Sequence, residues 1–353
     1  MTKRIVSLLL AALMMGSCLT VFASAKNQSL SKLRASEKKA SVYTALGDSA
    51  SSGFGLPDYS RRGTLVLFGE RIQDSYPDLV AKELGADVLY PYGVSGIRTT
   101  ELRFLLDQHY DGDDILDGQI VTLSDGLISR GVLEQQRPNY MKAVKEADVI
   151  TLDIGFDDIW MPTIACIYDI AEDGRYHGDP EKTIRQKIEE YGSAQVVLDN
   201  VLHYLIGFAS NPLKWAHYWL SWERAIEKWA TDFFVNYAAI VKQIYKLNPD
   251  VTVLALGCYN PCKGWGIGSG DNSIEHVIQP YYDLINAEKE KYTTLYPNYY
   301  YVDTRGTELI TMKSTLPFYE NVTLDDSGFN PHPTAEGHRM LADRILKTWN
   351  RIS

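Results

Sequence analysis

A serine early in the chain and a histidine near its end have the surroundings needed for nucleophilic catalysis. Ser49 follows the apolar run Val42–Leu46 and begins a turn that contains Gly53 and Gly55. His332 lies in a turn just before the last amphipathic helix. A serine hydroxyl is a poor nucleophile at neutral pH unless an imidazole accepts its proton. The two residues together predict a Ser-His hydrolase with Ser49 as the nucleophile and His332 as the base.

Five short apolar segments alternate with helical patterns along the chain. We expect strands at Val42–Leu46, Asp87–Tyr92, Val149–Ile154, Val251–Leu256 and Tyr299–Val302. Strands that are apolar at almost every residue are typical of a parallel sheet covered on both faces. The sequence therefore predicts an α/β fold, a three-layer α/β/α sandwich with a parallel, flavodoxin-like sheet.

Helical periodicity fills the segments between these strands. Helices are predicted at Ser75–Leu84, Thr99–Leu106, Pro138–Ala147, Phe233–Leu247, Pro280–Leu295 and Thr334–Trp349. In such folds ligands bind beyond the carboxyl ends of the strands. Ser49, Gly96 and Asp157 each come just after a predicted strand. We expect all three to border one crevice.

A helical insertion at about residues 160–232 interrupts the alternation, with helices predicted at Thr183–Ile206 and Leu213–Trp229. Four tryptophans share one face of the second helix: they are Trp215, Trp219, Trp222 and Trp229. One interpretation is a lid or substrate platform over the crevice; the commoner outcome for such a stripe is core packing. The acidic composition disfavours attachment to a membrane surface.

The first 25 residues have the pattern of a secretory signal peptide. Two basic residues precede the apolar run Ile5–Met15, and small residues end the segment at Ala25. This run is too short for a membrane span, so none is expected in the mature chain. Lipid attachment at Cys18 is a lower-ranked alternative, because the apolar segment continues beyond it. Localisation is expected to be secreted or at the cell surface.

Length and charge limit the remaining organisation. Residues 26–40 resemble a polar linker, and 353 residues that are 45% hydrophobic can form one large domain over residues 41–353. The formal net charge of −10, with no basic stripe, argues against a nucleic-acid partner.

Three cysteines remain after the predicted cleavage. Cys258 and Cys262 could form a disulfide in an exported protein, leaving Cys166 unpaired. Unlinked thiols are equally consistent with the sequence. A zinc site is disfavoured, because no further ligands lie at recognisable spacing.

Four blocks of the sequence, in order, resemble those of the SGNH, or GDSL-type, hydrolase family. They are Gly47-Asp48-Ser49, Gly93-Val94-Ser95-Gly96 followed by Arg98-Thr99-Thr100, Gly155-Phe156-Asp157-Asp158, and His332-Pro333. The resemblance implies an oxyanion hole formed by the amides of Ser49 and Gly96 with the third-block residue, Asp157. It also implies a structural hydrogen-bonding role for Asp158.

Two residues depart from the family pattern. Asp157 replaces an asparagine: when ionised it would repel an oxyanion, whereas when protonated it could donate a hydrogen bond. Asn330 replaces the aspartate that precedes the histidine, so it can orient the imidazole of His332 but cannot stabilise the imidazolium by charge. Asp325 or Asp326 could serve instead.

The resemblance implies a serine esterase that cleaves carboxylic (acyl or acetyl) esters through an acyl-enzyme. This chemistry requires no metal or organic cofactor, and the expected partner is an ester-bearing small molecule, lipid or polysaccharide. Two alternatives are an acyltransferase acting on sugar hydroxyls and a catalytically impaired carbohydrate-binding or scaffold protein on the same fold.

Overall fold

The central sheet consists of five parallel strands. They are β1 (Val42–Gly47), β2 (Val88–Gly93), β3 (Val149–Asp153), β4 (Thr252–Leu256) and β5 (Tyr299–Val302). The strand order is β2-β1-β3-β4-β5, and every neighbouring pair is parallel. The computed structural model describes residues 40–61, 68–112, 121–122, 126–127, 130–161, 175–176, 179–183, 186, 190, 212–260, 274–305 and 332–353. The five strands predicted from apolar runs are confirmed, and their order is flavodoxin-like.

Helices cover both faces of this sheet. They are α1 (Ser49–Ser52), α2 (Pro57–Arg61), α3 (Tyr76–Leu84), α4 (Thr99–Leu106), α5 (Arg130–Glu146), α6 (Pro212–Leu247), α7 (Ile274–Lys291) and α8 (Ala335–Trp349), with a 3₁₀ turn at Tyr292–Thr294. One hydrophobic core contains residues of α3 and α8, and the other contains residues of α4, α5, α6 and α7. The predicted three-layer sandwich is confirmed.

The strands supply side chains to both cores in alternation. In β4, Val253 and Ala255 belong to the core beneath α4–α7, whereas Leu254 and Leu256 belong to the core beneath α3 and α8. All four are fully buried. Burial of a large apolar side chain stabilises the fold by about 1.5–3 kcal/mol. This two-sided burial explains why the strands are apolar at nearly every position.

Two helices begin earlier than predicted. From helical periodicity, helices were expected to start at Pro138 and Pro280. In the structure both prolines lie inside helices, α5 and α7. Leu133 and Tyr140, on either side of Pro138, pack in the same core. This packing holds both halves of α5 despite the hydrogen bond that a proline removes.

The predicted insertion contributes a single long helix. The two helices expected at Leu213–Trp229 and Phe233–Leu247 are one continuous helix of 36 residues, α6. Before it, Arg175–Tyr176 pairs with Asp179–Thr183 in an antiparallel ribbon, so Thr183 ends a strand. Most of the remaining helix predicted to end at Ile206 lies outside the described residues. A second small ribbon joins Val121–Thr122 to Gly126–Leu127.

Three tryptophans of the predicted stripe pack into the core. Trp222 is buried, and Trp219 and Trp229 pack against the same core from partly buried positions. The side chain of Trp215 lies outside the described part of the structure. The stripe therefore anchors α6 to the sandwich at these three positions.

Residues 39–352 form one compact unit. Of the helices in the described ranges, none is both long and apolar enough to cross a membrane. The predicted signal peptide and residues 26–39 of the predicted linker lie outside these ranges.

Two glycines at strand ends allow a close approach between the sheet and α1. A Cβ atom on Gly93 would lie 2.4 Å from the backbone of Ser51 and Ser52. A Cβ atom on Gly47 would lie 2.2 Å from the carbonyl oxygen of Asp153 and from Ser51 Oγ. Real side chains do not tolerate such distances, so both positions require glycine for α1 to sit at the end of the sheet.

We predict that Gly93→Ala lowers the free energy of unfolding by about 1–3 kcal/mol or more, because backbone atoms of α1 must move. Gly131→Ala is the matched control: nothing lies within 4 Å of its added methyl group, and Gly131 is in α5. Alanine favours a helix over glycine by up to about 1 kcal/mol. Urea unfolding followed by circular dichroism measures both effects; equal stability of the two variants would contradict the steric argument.

Candidate active site

Three loops that leave neighbouring strands carry the candidate site. In the parallel ladders, Gly47 of β1 is opposite Gly93 of β2 and Asp153 of β3. Ser49, Gly96 and Asp157 follow these residues by two, three and four positions. All three therefore lie at the carboxyl edge of the sheet, beyond three adjacent strands, as the sequence analysis expected.

Ser49 is the first residue of α1. Asp48 caps this short helix, since its Oδ1 accepts a hydrogen bond from the Ala50 N–H at 3.1 Å. Gly53 ends it with φ of 74°, a left-handed conformation that favours glycine. The glycine-rich turn thus fixes the direction in which the chain leaves the sheet and places Ser49 directly at its edge.

The other two hydroxyls of α1 are already engaged. Ser51 Oγ lies 2.5 Å from the Tyr76 hydroxyl, and Ser52 Oγ donates to the Ser49 carbonyl oxygen at 2.8 Å. Within the described residues, Ser49 Oγ makes no hydrogen bond. Among the described contacts, the Ser51 and Ser52 hydroxyls thus stabilise the local fold and the Ser49 hydroxyl does not take part.

Two backbone amides near Ser49 have no acceptor within the described ranges. They are the N–H groups of Ser49 and Gly96. Gly96 has φ of 80°, a conformation that residues with a side chain rarely adopt. Unpaired N–H groups beside a nucleophile are the donors that an oxyanion requires.

The two carboxyls of the third block have different surroundings. Asp158 accepts hydrogen bonds from Thr99 N at 3.0 Å and from Thr99 Oγ1 at 2.5 Å. Burial raises its pKa to about 6, although these hydrogen bonds lower it. Asp158 thus ties the third block to the start of α4, which agrees with the structural role that the resemblance implied. Asp157 is buried, and its Oδ2 has no partner among the described atoms.

His332 packs against the loop that follows Ser49. Its ring centroid lies 4.4 Å from that of Phe54. The Phe54 N–H donates to the Ser49 carbonyl oxygen at 3.1 Å. One residue therefore contacts both the candidate base and the turn of the candidate nucleophile, so His332 lies close to the turn that begins at Ser49. The described contacts include no hydrogen bond between Ser49 Oγ and His332.

The partly buried imidazole of His332 is held in its neutral form. Desolvation lowers its pKa to about 3, with a smaller contribution from His338. The residues predicted to orient it, Asn330 or alternatively Asp325 or Asp326, lie outside the described residues.

A hydrogen-bond chain missed by the sequence analysis supports this edge of the sheet. Ser51 Oγ contacts both the Tyr76 hydroxyl at 2.5 Å and Asp153 Oδ2 at 3.5 Å. The Tyr76 N–H donates to His338 Nδ1 at 3.2 Å. Burial raises the pKa of Asp153 to about 6, and Lys289 lowers it. In the sequence, the one sign of this hydrogen-bond chain was Asp153, a charged residue at the end of the mainly apolar run that forms β3.

The sequence of residues 45–340 matches the model of the GDSL-like lipase/acylhydrolase family. The chain belongs to this family. As a GDSL-like hydrolase, it is an enzyme that hydrolyses acyl esters. The family assignment agrees with the sheet order and with the placement of the sequence blocks at the strand ends.

Similar solved structures include an extracellular lipase from Streptomyces rimosus, with 19% identity and a TM-score of 0.49 over 88% of this chain and 99% of that chain. Phospholipase A1 from Streptomyces albidoflavus NA297 has 17% identity and a TM-score of 0.46, with coverage of 88% and 99%. Axe2, an acetylxylan esterase from Geobacillus stearothermophilus, has 12% identity and a TM-score of 0.38, with coverage of 88% and 94%. No curated protein sequence matches the chain.

Cys258 of the GDSL-like hydrolase is a free, buried thiol. Burial raises its pKa to about 12, and Lys289 Nζ lies 3.3 Å from its sulfur. The disulfide considered for Cys258 and Cys262 is therefore not formed in this structure. Cys166 and Cys262 lie outside the described residues.

His338 is a fully buried histidine in α8. Its Nδ1 accepts from Tyr76, its Nε2 has no partner in the described part of the chain, and desolvation lowers its pKa to about 3. As the pH falls, His338 is therefore protonated at a higher pH in the unfolded chain than in the native protein. Stability is lost between the unfolded pKa of about 6.5 and the native value.

We predict that His338→Asn destabilises the protein at pH 7 but reduces its sensitivity to acid. Between pH 7 and pH 5 the difference in unfolding free energy between wild type and variant should shrink by about 2 kcal/mol. His109→Asn is the control, because His109 is exposed. Urea unfolding at both pH values measures this; a gap that does not change with pH would contradict the prediction.

Proposed function

We propose that the chain is an exported serine esterase that hydrolyses carboxylic esters through an acyl-enzyme, with Ser49 as nucleophile and His332 as base. The observation that carries the proposal is that, among the described residues, the Ser49 hydroxyl at the edge of the sheet and the N–H groups of Ser49 and Gly96 have no hydrogen-bond partner. Nucleophile and oxyanion donors are the two parts that acyl transfer needs first.

In the acylation step Ser49 Oγ attacks the ester carbonyl carbon and its proton passes to His332. The carbonyl oxygen gains the electron pair of the broken π bond, and the N–H groups of Ser49 and Gly96 stabilise that charge. The C–O bond to the leaving alcohol then breaks, and His332 returns the proton to the alcohol. Water repeats the sequence on the acyl-enzyme and releases the acid.

The surroundings of His332 support its role as the base. Burial against Phe54 keeps the imidazole in the neutral form, which is the form that accepts a proton, and the lowered pKa also makes it a weaker base than a free histidine. Asn330, two residues earlier in the sequence, orients the ring but adds no negative charge.

One feature of the sequence supports export, and the proposed chemistry is compatible with a broad range of esters. The basic, apolar and small-residue order of residues 1–25 is that of a signal peptide. The substrates we propose are acyl or acetyl esters of small molecules, lipids or polysaccharides, since the attack needs only an accessible carbonyl carbon.

Replacement of the nucleophile is the direct test of the mechanism. Ser49→Ala should lower kcat for p-nitrophenyl acetate and for longer p-nitrophenyl esters by on the order of 10⁴-fold or more. Ser52→Ala is the matched control, because it removes a hydroxyl from the same helix that bonds only a local carbonyl. It should keep most of the activity. Equal rates for wild type and Ser49→Ala would remove Ser49 from the mechanism.

The missing carboxylate gives a second prediction. Asn330→Asp should raise kcat at neutral pH by at least about tenfold, because a carboxylate stabilises the imidazolium that forms as His332 takes the proton. The base must be neutral to act, so the raised pKa of His332 should also move the acidic fall of kcat/KM to higher pH. Wild type should remain active at pH 5, whereas the variant loses activity there. An unchanged pH profile would count against Asn330 as the partner of His332.

A further inference from the structure

The Asp157 carboxyl of the third block is buried, and one of its two oxygens accepts no hydrogen bond from the described residues. Asp157 is 2% exposed, and its Oδ2 has no partner among the described atoms. It follows β3 by four residues, at the same edge of the sheet as Ser49. An unsatisfied buried carboxylate oxygen is costly, and the cost is much smaller when the carboxyl is neutral.

The charged and titratable groups around Asp157 are mostly acidic. They are Asp158 in the same turn, Glu101 and Arg98 at the start of α4, Asp153 at the end of β3, Asp48 before α1, and Tyr259 after β4. Among the groups just named, all of them in the described part of the chain, Arg98 is the one cation. Its guanidinium is paired with Glu101, both side chains being buried, and it lies 4.6 Å from the centre of the Trp229 ring.

These surroundings favour the neutral form of Asp157. Burial raises the pKa of Asp157 well above its usual value, and Asp158 and Glu101 raise it further, whereas Arg98 lowers it. A carboxylic acid kept neutral in a buried site can donate a strong hydrogen bond to an oxyanion. The replacement of asparagine by aspartate therefore need not remove the side-chain donor from the site.

We propose that Asp157 acts as a neutral carboxylic acid that donates a hydrogen bond from Oδ2 to the oxyanion of the tetrahedral intermediate. This role rests on the proposed Ser49 mechanism. Asp157 keeps its proton throughout: the proton that moves is that of the Ser49 hydroxyl, which passes to His332 and then to the leaving alcohol. Asp157 joins the amides of Ser49 and Gly96 as the third donor.

If Asp157 must be protonated to act, the activity of the enzyme must fall at alkaline pH. The donor exists only while Asp157 is protonated, so kcat/KM falls as the pH rises through its raised pKa. Above that pH the site loses a donor and gains a negative charge next to the oxyanion. Asp157→Asn keeps a donor of the same size that does not ionise.

The test compares pH profiles of p-nitrophenyl acetate hydrolysis. Asp157→Asn should stay within about tenfold of wild type at pH 7 and lose the alkaline fall, whereas Asp157→Ala should drop by about 10²–10³-fold. Asp48→Asn is the matched control, because Asp48 Oδ2 is the other buried carboxylate oxygen near the site without a partner among the described atoms. Its profile should keep the alkaline fall. Wild-type rates in Asp157→Ala, or an unchanged alkaline fall in Asp157→Asn, would overturn the proposal.

A second measurement detects the protonation state of Asp157 directly and does not depend on catalytic activity. The infrared spectrum of wild type at pH 7 should contain a carboxylic acid carbonyl band that is absent from Asp157→Asn and present in Ser49→Ala. Absence of this difference would overturn the neutral state of Asp157 even if the esterase mechanism holds. Conversely, full activity of Ser49→Ala would refute the proposed mechanism while the band still reports the protonation of Asp157.

Discussion

The register of three adjacent parallel strands is the constraint on which the rest of the structure depends. Backbone hydrogen bonds place the end of β1 beside the ends of β2 and β3, at Gly47, Gly93 and Asp153. A slip of one residue would exchange the side chains that face the two cores, so burial on both faces fixes the register strongly. Because the register is fixed, the loops that carry Ser49 and Gly96 leave the sheet side by side.

Burial of acidic groups dominates the electrostatics at this edge. Asp48 and Asp153 are both buried, and burial together with the negative charge of Asp153 raises the pKa of Asp48 well above its usual value. Lys289, fully buried in α7, supplies the compensating positive charge and donates to the Leu256 carbonyl oxygen at 2.7 Å. Buried charges are tolerated when they are paired and hydrogen-bonded. The site thus keeps a set of polar groups that a purely structural core would replace by apolar ones.

The long helix α6 connects the insertion to the carboxyl edge of the sheet, where the candidate site lies. Asn236 donates to Thr100 Oγ1 at 3.0 Å, and a Cβ atom on Gly155 would lie 2.7 Å from the Phe233 ring. The second and third blocks are therefore packed against the same helix. Since α6 is part of the core, changes in its packing would be transmitted to the loops of Gly96 and Asp157. Its role in positioning the site is better supported by these contacts than a role as a lid.

The sequence by itself determined the five strands, their parallel sandwich and the positions of Ser49, Gly96 and Asp157 after strand ends. These features follow from local patterns: apolar runs, glycine turns and residue order. Only the tertiary structure decided that α5 and α7 continue through their prolines, that His338 is buried, and that Asp157 Oδ2 has no partner among the described atoms. Helix ends, burial and protonation depend on neighbours that are distant in the sequence, and local patterns do not contain that information.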